Sequence, residues 1–236
     1  MTTPEFHYEG DELTLFAGAT HWRSYWTGLV SPLLGERVLE VGAGLGSATK
    51  ALCGDTRKEW VCLEPDPAMV EHLNRSRAEG NLPSSCRVVA GDMSALETGE
   101  RFDAILYIDV LEHIADDRAE LERAAARLRP GGRLIVLAPA HQWLYSPFDQ
   151  AVGHHRRYTL SALRRLTPPG VSVVSARYLD SVGLLASAAN RFLLKASMPT
   201  PAQIRLWDDR MVPVSRHIDG LLGHALGKTA LMVWKA

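Results

Sequence analysis

The sequence predicts an α/β fold built on a mostly parallel sheet, and three observations support this prediction. From Arg37 onward, short apolar segments alternate with segments of helical pattern, which is typical of parallel strands joined by helices. Residues 38–47 (VLEVGAGLGS) have the pattern of a buried strand, a turn with three glycines and a helix start. The chain has 236 residues, of which 46% are hydrophobic, and this fits one α/β domain of ordinary size.

The individual elements follow from local patterns. Residues 1–36 are expected to form a helical N-terminal extension ahead of the first strand. The sequence Pro-Gly-Gly at 130–132 predicts a sharp turn before the fifth strand. Strands are predicted at 37–41, 60–64, 86–90, 102–108, 133–138, 171–179 and 229–234, and helices at 47–53, 67–79, 116–128 and 159–166.

The last two strands are separated by a long segment. It spans roughly fifty residues, too many for an unstructured connection, so we expect a helical insertion over about 180–227, broken at 198–201. We expect this insertion to pack near the ligand edge of the sheet as a lid. The alternative is a cover that makes no contact with substrate. The apolar stretch at 180–197 also leaves open a weak contact with a membrane surface.

Composition excludes several classes of protein. The net charge is −1, so no bulk electrostatic attraction to nucleic acid is expected. The three cysteines lack any C-x-x-C spacing and are odd in number, which indicates buried thiols in a reducing compartment. The N-terminus is polar and acidic, unlike a signal peptide, and no uncharged apolar run reaches transmembrane length. These features predict a soluble cytoplasmic protein.

The glycine turn departs from the dinucleotide-binding fingerprint, which requires G-x-G-x-x-G. Here Gly42, Gly44 and Gly46 alternate, and Ser47 stands where the third glycine would be. Glu40 lies in the strand before the turn, and a carboxylate there suits an amino or sulfonium cation better than a pyrophosphate. The segment resembles the first motif of the class I S-adenosylmethionine-dependent methyltransferases. The alternative is a turn that only packs a helix on a strand.

Acidic residues follow the next two strands. Glu64 ends the second strand, and its spacing from the glycine turn is typical of an acidic residue that contacts ribose. A carboxylate can accept hydrogen bonds from both ribose hydroxyls. Asp66 is expected to cap the next helix. Asp92 follows the third strand and is either a plain turn residue or an acceptor for an adenine amino group. The resemblance favours the adenine contact, with Met93 beside the ring.

The fourth strand runs into the sequence DVLEHI at 109–114, which resembles the family's fourth motif. The resemblance places Asp109 at the carboxyl edge of the sheet, beside the methionine part of the cofactor. His113 is a candidate proton acceptor, because imidazole titrates near neutral pH. Its alternative role is a hydrogen-bonding scaffold in the turn. In the extension, Arg23 is expected to meet the cofactor carboxylate, unless it serves only in helix packing.

The segment after the fifth strand, 141–159, is rich in aromatic, imidazole and guanidinium groups. Arg156 and Arg157 suit a carboxylate or phosphate, which predicts an acceptor with an anionic group or many hydroxyls. Alternatively, Asp149 pairs with one of these arginines and holds the loop shut. The sequence leaves both interpretations open.

The same segment supplies three further candidate proton acceptors, His154, His155 and Tyr158. A further hypothesis is a metal site formed by His154 and His155 together with His141 and Asp149. Its spacing matches no known zinc pattern, so no metal is predicted.

The resemblance covers residues 37 to about 137 and implies both a fold and an activity. It implies a Rossmann-like, seven-stranded sheet whose seventh strand is antiparallel and lies between the fifth and sixth. It divides one domain, 1–236, into the extension, a cofactor-binding core at 37–138 and an acceptor-binding half at 139–236. The implied reaction transfers a methyl group from S-adenosylmethionine to a small molecule and releases S-adenosylhomocysteine. We expect an oxygen, or a nitrogen, of an anionic or sugar-like metabolite as acceptor.

Two other functions are compatible with the sequence. The first is an NAD-dependent oxidoreductase, against which the displaced third glycine and Glu40 argue. The second is a non-catalytic adaptor that keeps the fold and uses the cofactor structurally or not at all. The sequence lacks a large basic patch, which argues against a nucleic-acid partner.

Overall fold

A computed structural model describes residue 16 and residues 18–54, 57–191 and 199–236, and these contain a seven-stranded sheet. The strand order is β3-β2-β1-β4-β5-β7-β6. Strands β1 to β5 pair in parallel, whereas β7 is antiparallel to both β5 and β6. The expected position of the seventh strand is therefore confirmed. The strands are β1 (Arg37–Val41), β2 (Glu59–Glu64), β3 (Cys86–Ala90), β4 (Phe102–Ile108), β5 (Leu128–Pro139), β6 (Ser172–Leu179) and β7 (Thr229–Lys235).

Helices connect the strands and flank the sheet. Polar side chains fix several helix starts. Asp66 accepts hydrogen bonds from the amides of Ala68 and Met69, so its expected role as a cap is confirmed. The α-helices are α1 (Thr20–Val30), α2 (Ser47–Leu52), α3 (Pro67–Ala78), α4 (Asp117–Ala125), α5 (Pro147–Ala151), α6 (Leu160–Arg165), α7 (Ser181–Ala189), α8 (Pro201–Leu206) and α9 (Val212–Leu221), with a π-helix at Trp207–Met211.

The predicted turn before the fifth strand is wrong in one respect. Strand β5 already pairs with β4 at Leu128, opposite Phe102, and the register shifts before pairing resumes at Arg133. The Pro-Gly-Gly segment therefore forms an irregularity inside a long strand. Gly131, with φ of 80°, supplies the left-handed backbone that this irregularity requires.

The core lies on both faces of the sheet. Trp60 is fully buried on the face that α1 and α2 cover, and Trp234 is fully buried on the face that α4 covers. Burying a side chain of this size stabilises the fold by roughly 1.5–3 kcal/mol. This packing fixes the strands, so the residues at their carboxyl ends are held in place.

The N-terminal helix and the insertion pack against one another. Helix α1 contacts α2, the π-helix and α9, and Trp22 lies 5.9 Å from Trp207 between ring centroids. Asp208 accepts hydrogen bonds from the amides of His21 and Trp22 at the start of α1. The predicted insertion contains α7, α8, the π-helix and α9, whereas 192–198 lie outside the described residues. Among the described helices, none is long and apolar enough to cross a membrane.

Candidate active site

The glycine turn has the left-handed backbone that three glycines allow. The φ angles of Gly42, Gly44 and Gly46 are 68°, 54° and 74°. A Cβ atom on Gly42 would come within 2.6 Å of the Val110 side chain, so this glycine is also required by packing. Helix α2 begins directly after the turn, at Ser47. Its amino end and the turn therefore face the carboxyl edge of the sheet.

Glu40 lies beneath this turn and is almost fully buried. Its Oε2 accepts hydrogen bonds from the Thr49 hydroxyl at 2.6 Å and from the Trp60 indole at 2.8 Å. Burial raises the pKa of Glu40 to about 7, although both hydrogen bonds oppose that rise. The carboxylate thus ties α2 to the first two strands. Its expected contact with the amino-acid part of the cofactor stays a prediction.

Glu64 connects the end of β2 to the glycine turn. Its Oε2 accepts a hydrogen bond from the Gly44 amide at 2.8 Å, and its Oε1 accepts one from the Asp66 amide at 3.0 Å. Burial raises the pKa of Glu64, against these two hydrogen bonds. A carboxylate oxygen has two lone pairs, so each oxygen can still accept a hydrogen bond from a hydroxyl group. The arrangement fits a pair of ribose hydroxyls.

Asp92 and Met93 follow β3 with different surroundings. Asp92 is exposed, and its Oδ1 accepts hydrogen bonds from the Ser94 amide and hydroxyl, which lower its pKa. Met93 is buried. The Asp92 contacts are those of a turn residue, and the adenine contact stays a prediction.

Asp109 ends β4 with a left-handed backbone, at φ of 53°. Its side chain is exposed at the cleft along the carboxyl edge of the sheet, and nearby protein atoms still desolvate the carboxylate. That environment raises the pKa of Asp109 to about 6, and the nearby His154 and Lys228 oppose the rise. A carboxylate open to the cleft can contact a bound ligand.

Lys228 also lies at the carboxyl edge of the sheet, and no sequence pattern pointed to it. It lies just before β7, with its Nζ 3.4 Å from Asp180 and 3.8 Å from the centre of the Trp207 ring. Burial lowers the pKa of Lys228. The strand order could have revealed this position, because an antiparallel β7 brings its first residue to the carboxyl edge.

Arg23 is half-buried in α1, which packs against α2.

Two of the predicted histidines meet beside Glu112. The rings of His113 and His154 make an edge contact with centroids 4.7 Å apart. His154 Nδ1 lies 2.9 Å from Asp149 Oδ1, and its Nε2 lies 3.9 Å from Glu112 Oε1. Burial and the neighbouring imidazole of His154 lower the pKa of His113 to about 4. His113 is therefore neutral at physiological pH.

The two arginines of the loop are paired inside the protein. Arg157 donates to both oxygens of the fully buried Asp149, from Nε at 2.7 Å and from Nη2 at 2.9 Å. Arg156 donates to Asp117 at 2.7 Å. Of the two interpretations that the sequence left open, the pairing of Asp149 with an arginine is confirmed.

The remaining predicted residues are dispersed. Tyr158 is buried, and its hydroxyl donates to Asp117 at 2.8 Å, which together with burial raises its pKa. This position gives no support for a role in proton transfer. His155 is exposed, and its backbone amide donates to the Glu112 carbonyl. His141 makes a hydrogen bond with the Gly227 carbonyl, and among the described residues it belongs to neither group of potential metal ligands that lie close together.

The turn, the acidic strand ends and the sheet order define a nucleotide-type cofactor domain of the methyltransferase kind. Residues 39–134 match the methyltransferase domain family. A demethylmenaquinone methyltransferase of Tropheryma whipplei (strain Twist) is 30% identical over 161 residues, covering 67% of this chain and 64% of that protein. A ubiquinone biosynthesis O-methyltransferase of Xylella fastidiosa (strain 9a5c) is 32% identical over 105 residues, covering 44% of this chain and 42% of that protein.

A solved structure gives the same fold. It is a complex of the Haloferax volcanii Trm112 methyltransferase activator with a protein described as a putative methyltransferase, at a TM-score of 0.64 and 19% identity, covering 98% of this chain and 99% of that one. The chain spans less than two thirds of the length of the curated relatives that it matches. The chain belongs to the class I S-adenosylmethionine-dependent methyltransferases, whose cofactor is S-adenosylmethionine.

Proposed function

We propose that this chain transfers the methyl group of S-adenosylmethionine to an oxygen of a small-molecule acceptor. The observation that carries the proposal is the glycine turn with Glu64 bonded to the Gly44 amide, at the carboxyl edge of the sheet. When bound, S-adenosylmethionine supplies a methyl group that its sulfonium already activates. The protein then has to hold acceptor and donor in line and exclude water, which contributes several orders of magnitude in rate.

The cofactor side of the proposal uses the acidic residues around the turn. Glu64 has acceptor capacity left for ribose hydroxyls, and Asp109 is open to the cleft where the methionine part would lie. Glu40 holds the turn from below. The residues proposed to bind the cofactor are Arg23, Glu40, Gly42, Gly44, Gly46, Glu64, Asp92, Met93 and Asp109.

The acceptor side requires a group that takes up a proton, because a hydroxyl must lose its proton as the methyl group arrives. His154 is the best candidate among the predicted histidines. Asp149 accepts from Nδ1 of His154, which leaves the lone pair of a neutral ring on Nε2. His113 is a weaker base, since its pKa is lowered to about 4. His155 is a third candidate, exposed on the same loop.

The class of acceptor follows from what the arginines do. Because Arg156 and Arg157 are paired with aspartates, they give little support for an anionic acceptor. We therefore favour neutral hydroxyls, either sugar-like or phenolic. The word O-methyltransferase in the name of the Xylella relative supports oxygen over nitrogen. The NAD-dependent alternative gains no support from the relatives.

The insertion is proposed to cover the acceptor. The buried Asp180 accepts from the Trp207 indole at 2.7 Å and lies beside Lys228, so the insertion is tied to the carboxyl edge. This supports the division of the chain into a cofactor-binding core at 37–138 and an acceptor-binding half at 139–236. It also supports the lid over the simple edge cover.

The test is a methylation screen with the purified chain and S-adenosylmethionine. Phenolic, sugar-like and carboxylate compounds are compared, with S-adenosylhomocysteine release and product mass as readouts. His154→Gln should lower kcat by roughly a hundredfold or more if His154 takes up the proton, with little change in the KM for S-adenosylmethionine. His217→Gln is the control, because His217 is exposed on α9. Methylation of amines alone, or equal kcat for His154→Gln and the original chain, would refute the proposal.

A further inference from the structure

Glu112 is a buried carboxylate without a hydrogen-bonding partner. Its exposed fraction is 0%, and neither carboxylate oxygen meets a partner on another described residue. Buried polar groups are normally satisfied, because leaving one unpaired is costly. This position therefore calls for a proton or a cation to balance the charge.

Two imidazoles lie beside this carboxylate. Ligand atoms of Glu112, His113 and His154 all lie within 4.8 Å of one another. Glu112 and His113 are adjacent in the 3-10 turn Leu111–His113, and His154 approaches from the loop after β5. His154 reaches Glu112 and His113 only in the folded chain, so no sequence spacing predicts this cluster.

The surroundings orient the histidines. Asp149 accepts from Nδ1 of His154, and its own position is fixed by two hydrogen bonds from Arg157. His113 has a hydrogen bond with the Gly153 backbone. Histidines that bind metals usually give their second nitrogen to a carboxylate or a backbone carbonyl, which sets the ring orientation and the tautomer. With Nδ1 bonded to Asp149, the nitrogen of His154 left for a ligand is Nε2, which lies 3.9 Å from Glu112 Oε1.

We infer that Glu112, His113 and His154 form a binding site for a divalent transition-metal cation of the zinc class. Two imidazole nitrogens and one carboxylate are a donor set that Zn²⁺ favours, with a fourth position open. Ligand bonds of about 2.0–2.2 Å in a tetrahedral site place the ligand atoms about 3.4 Å apart. Atoms that now lie up to 4.8 Å apart must therefore approach by up to about 1.4 Å. Rotation of the side chains supplies such a movement.

The other group of potential ligands in the described chain, His21 with Asp208 and Asp209, is a poorer site. His21 and Asp209 are more than half exposed. Asp208 already accepts from the two amides at the start of α1. This second cluster provides a matched control.

The inference does not rest on the proposed function, because cation binding is measured without any methyl donor. It does bear on the reaction. A cation would occupy the lone pairs of His113 and His154, so the metal-loaded and metal-free proteins would differ in the group that takes up a proton. Their pH–rate profiles should then differ.

The test is calorimetric titration of the full chain with ZnCl₂ after removal of metals by a chelator, with MgCl₂ as a comparison. We expect one Zn²⁺ per chain at micromolar or tighter affinity and no Mg²⁺ binding. Glu112→Gln should weaken Zn²⁺ binding at least tenfold, whereas His21→Asn should leave it unchanged. Co²⁺ added instead should give the intense visible absorption of a four-coordinate site, and Glu112→Gln should abolish it.

Three results would overturn the inference: no Zn²⁺ binding by the original chain, equal binding by Glu112→Gln, or loss of binding in His21→Asn alone. Glu112→Gln keeps the shape of the side chain and carries no charge at any pH, so it should melt no lower than the original metal-free chain. If it nevertheless fails to fold, His113→Asn replaces it in the same titration. A tenfold loss there supports the site, and unchanged affinity refutes it.

Discussion

The ion pair between Asp149 and Arg157 offers a direct test of what holds the loop after β5 in place. Asp149 is fully buried and accepts five hydrogen bonds, from the Ser146 amide and hydroxyl, from His154 and from two nitrogens of Arg157. The Arg157 side chain is only 13% exposed, so solvent screens the pair weakly. Breaking a buried pair on one side costs about 3–5 kcal/mol.

Asp149→Asn should cost at least the lower end of that range, because one accepting oxygen remains while the amide nitrogen that replaces the other must face hydrogen-bond donors. We expect a loss of about 3 kcal/mol in the free energy of unfolding. For a chain of this size that is a fall of roughly 6–12 °C in Tm. Urea unfolding and calorimetry measure the two quantities. Glu71→Gln is the control, since Glu71 pairs with Arg75 on an exposed helix face and should change stability little.

The pH dependence gives a second readout of the same pair. The hydrogen bonds from His154 and Arg157 outweigh burial and lower the pKa of Asp149. A lowered folded-state pKa contributes stability that is present above the unfolded-state value, about 4, and is lost as pH falls through the folded-state value. The difference between the original chain and Asp149→Asn should thus be full at pH 7 and shrink in acid. A loss below 1 kcal/mol, or one independent of pH, would refute the reasoning.

Three other substitutions separate binding, stability and turnover. Glu64→Ala should weaken S-adenosylhomocysteine affinity at least tenfold by calorimetry, with Glu71→Ala unchanged; equal affinities would remove Glu64 from the ribose site. Tyr158→Phe should cost about 1 kcal/mol in urea unfolding and leave kcat within twofold, and a large fall in kcat at unchanged stability would restore Tyr158 as a catalytic residue. Glu40 has a folded-state pKa raised to about 7, so its contribution to stability is full below the unfolded-state pKa and is lost as pH rises through 7. Glu40→Gln should therefore be more stable than the original chain at pH 8, by up to about 3 kcal/mol, and lower stability there would contradict the assignment.

The sequence predicted the sheet well because its signals are local. Strands β1, β3 and β4 end directly before Gly42, Gly91 and Asp109, and the predicted ends agree with the structure for these three strands. The prediction failed where a local signal had two physical outcomes. Pro-Gly-Gly at 130–132 ends a strand in most contexts, but here continued pairing with β4 turned it into an irregularity within β5.

The candidate site was predictable only in part. Residues that follow strands, such as Glu64 and Asp109, could be placed at the carboxyl edge because the parallel order fixes that edge. The pairing of Arg157 with Asp149, within one loop, was one of two interpretations that the sequence left open, and only the folded structure decided between them. The isolation of Glu112 depends on contacts between distant segments, which no spacing encodes. Burial determines the roles of Arg157 and Glu112. Whether a charged side chain is buried depends on how the whole chain packs, which local sequence patterns do not give.

The central claim is that the glycine turn binds S-adenosylmethionine rather than a dinucleotide. Calorimetric titration of the purified chain with S-adenosylhomocysteine, with NADH as the comparison, tests it most directly. We expect one site per chain with micromolar affinity for S-adenosylhomocysteine, which is a binding free energy of about −8 kcal/mol, and no heat of binding from NADH. Binding of NADH, or of neither ligand, would contradict it.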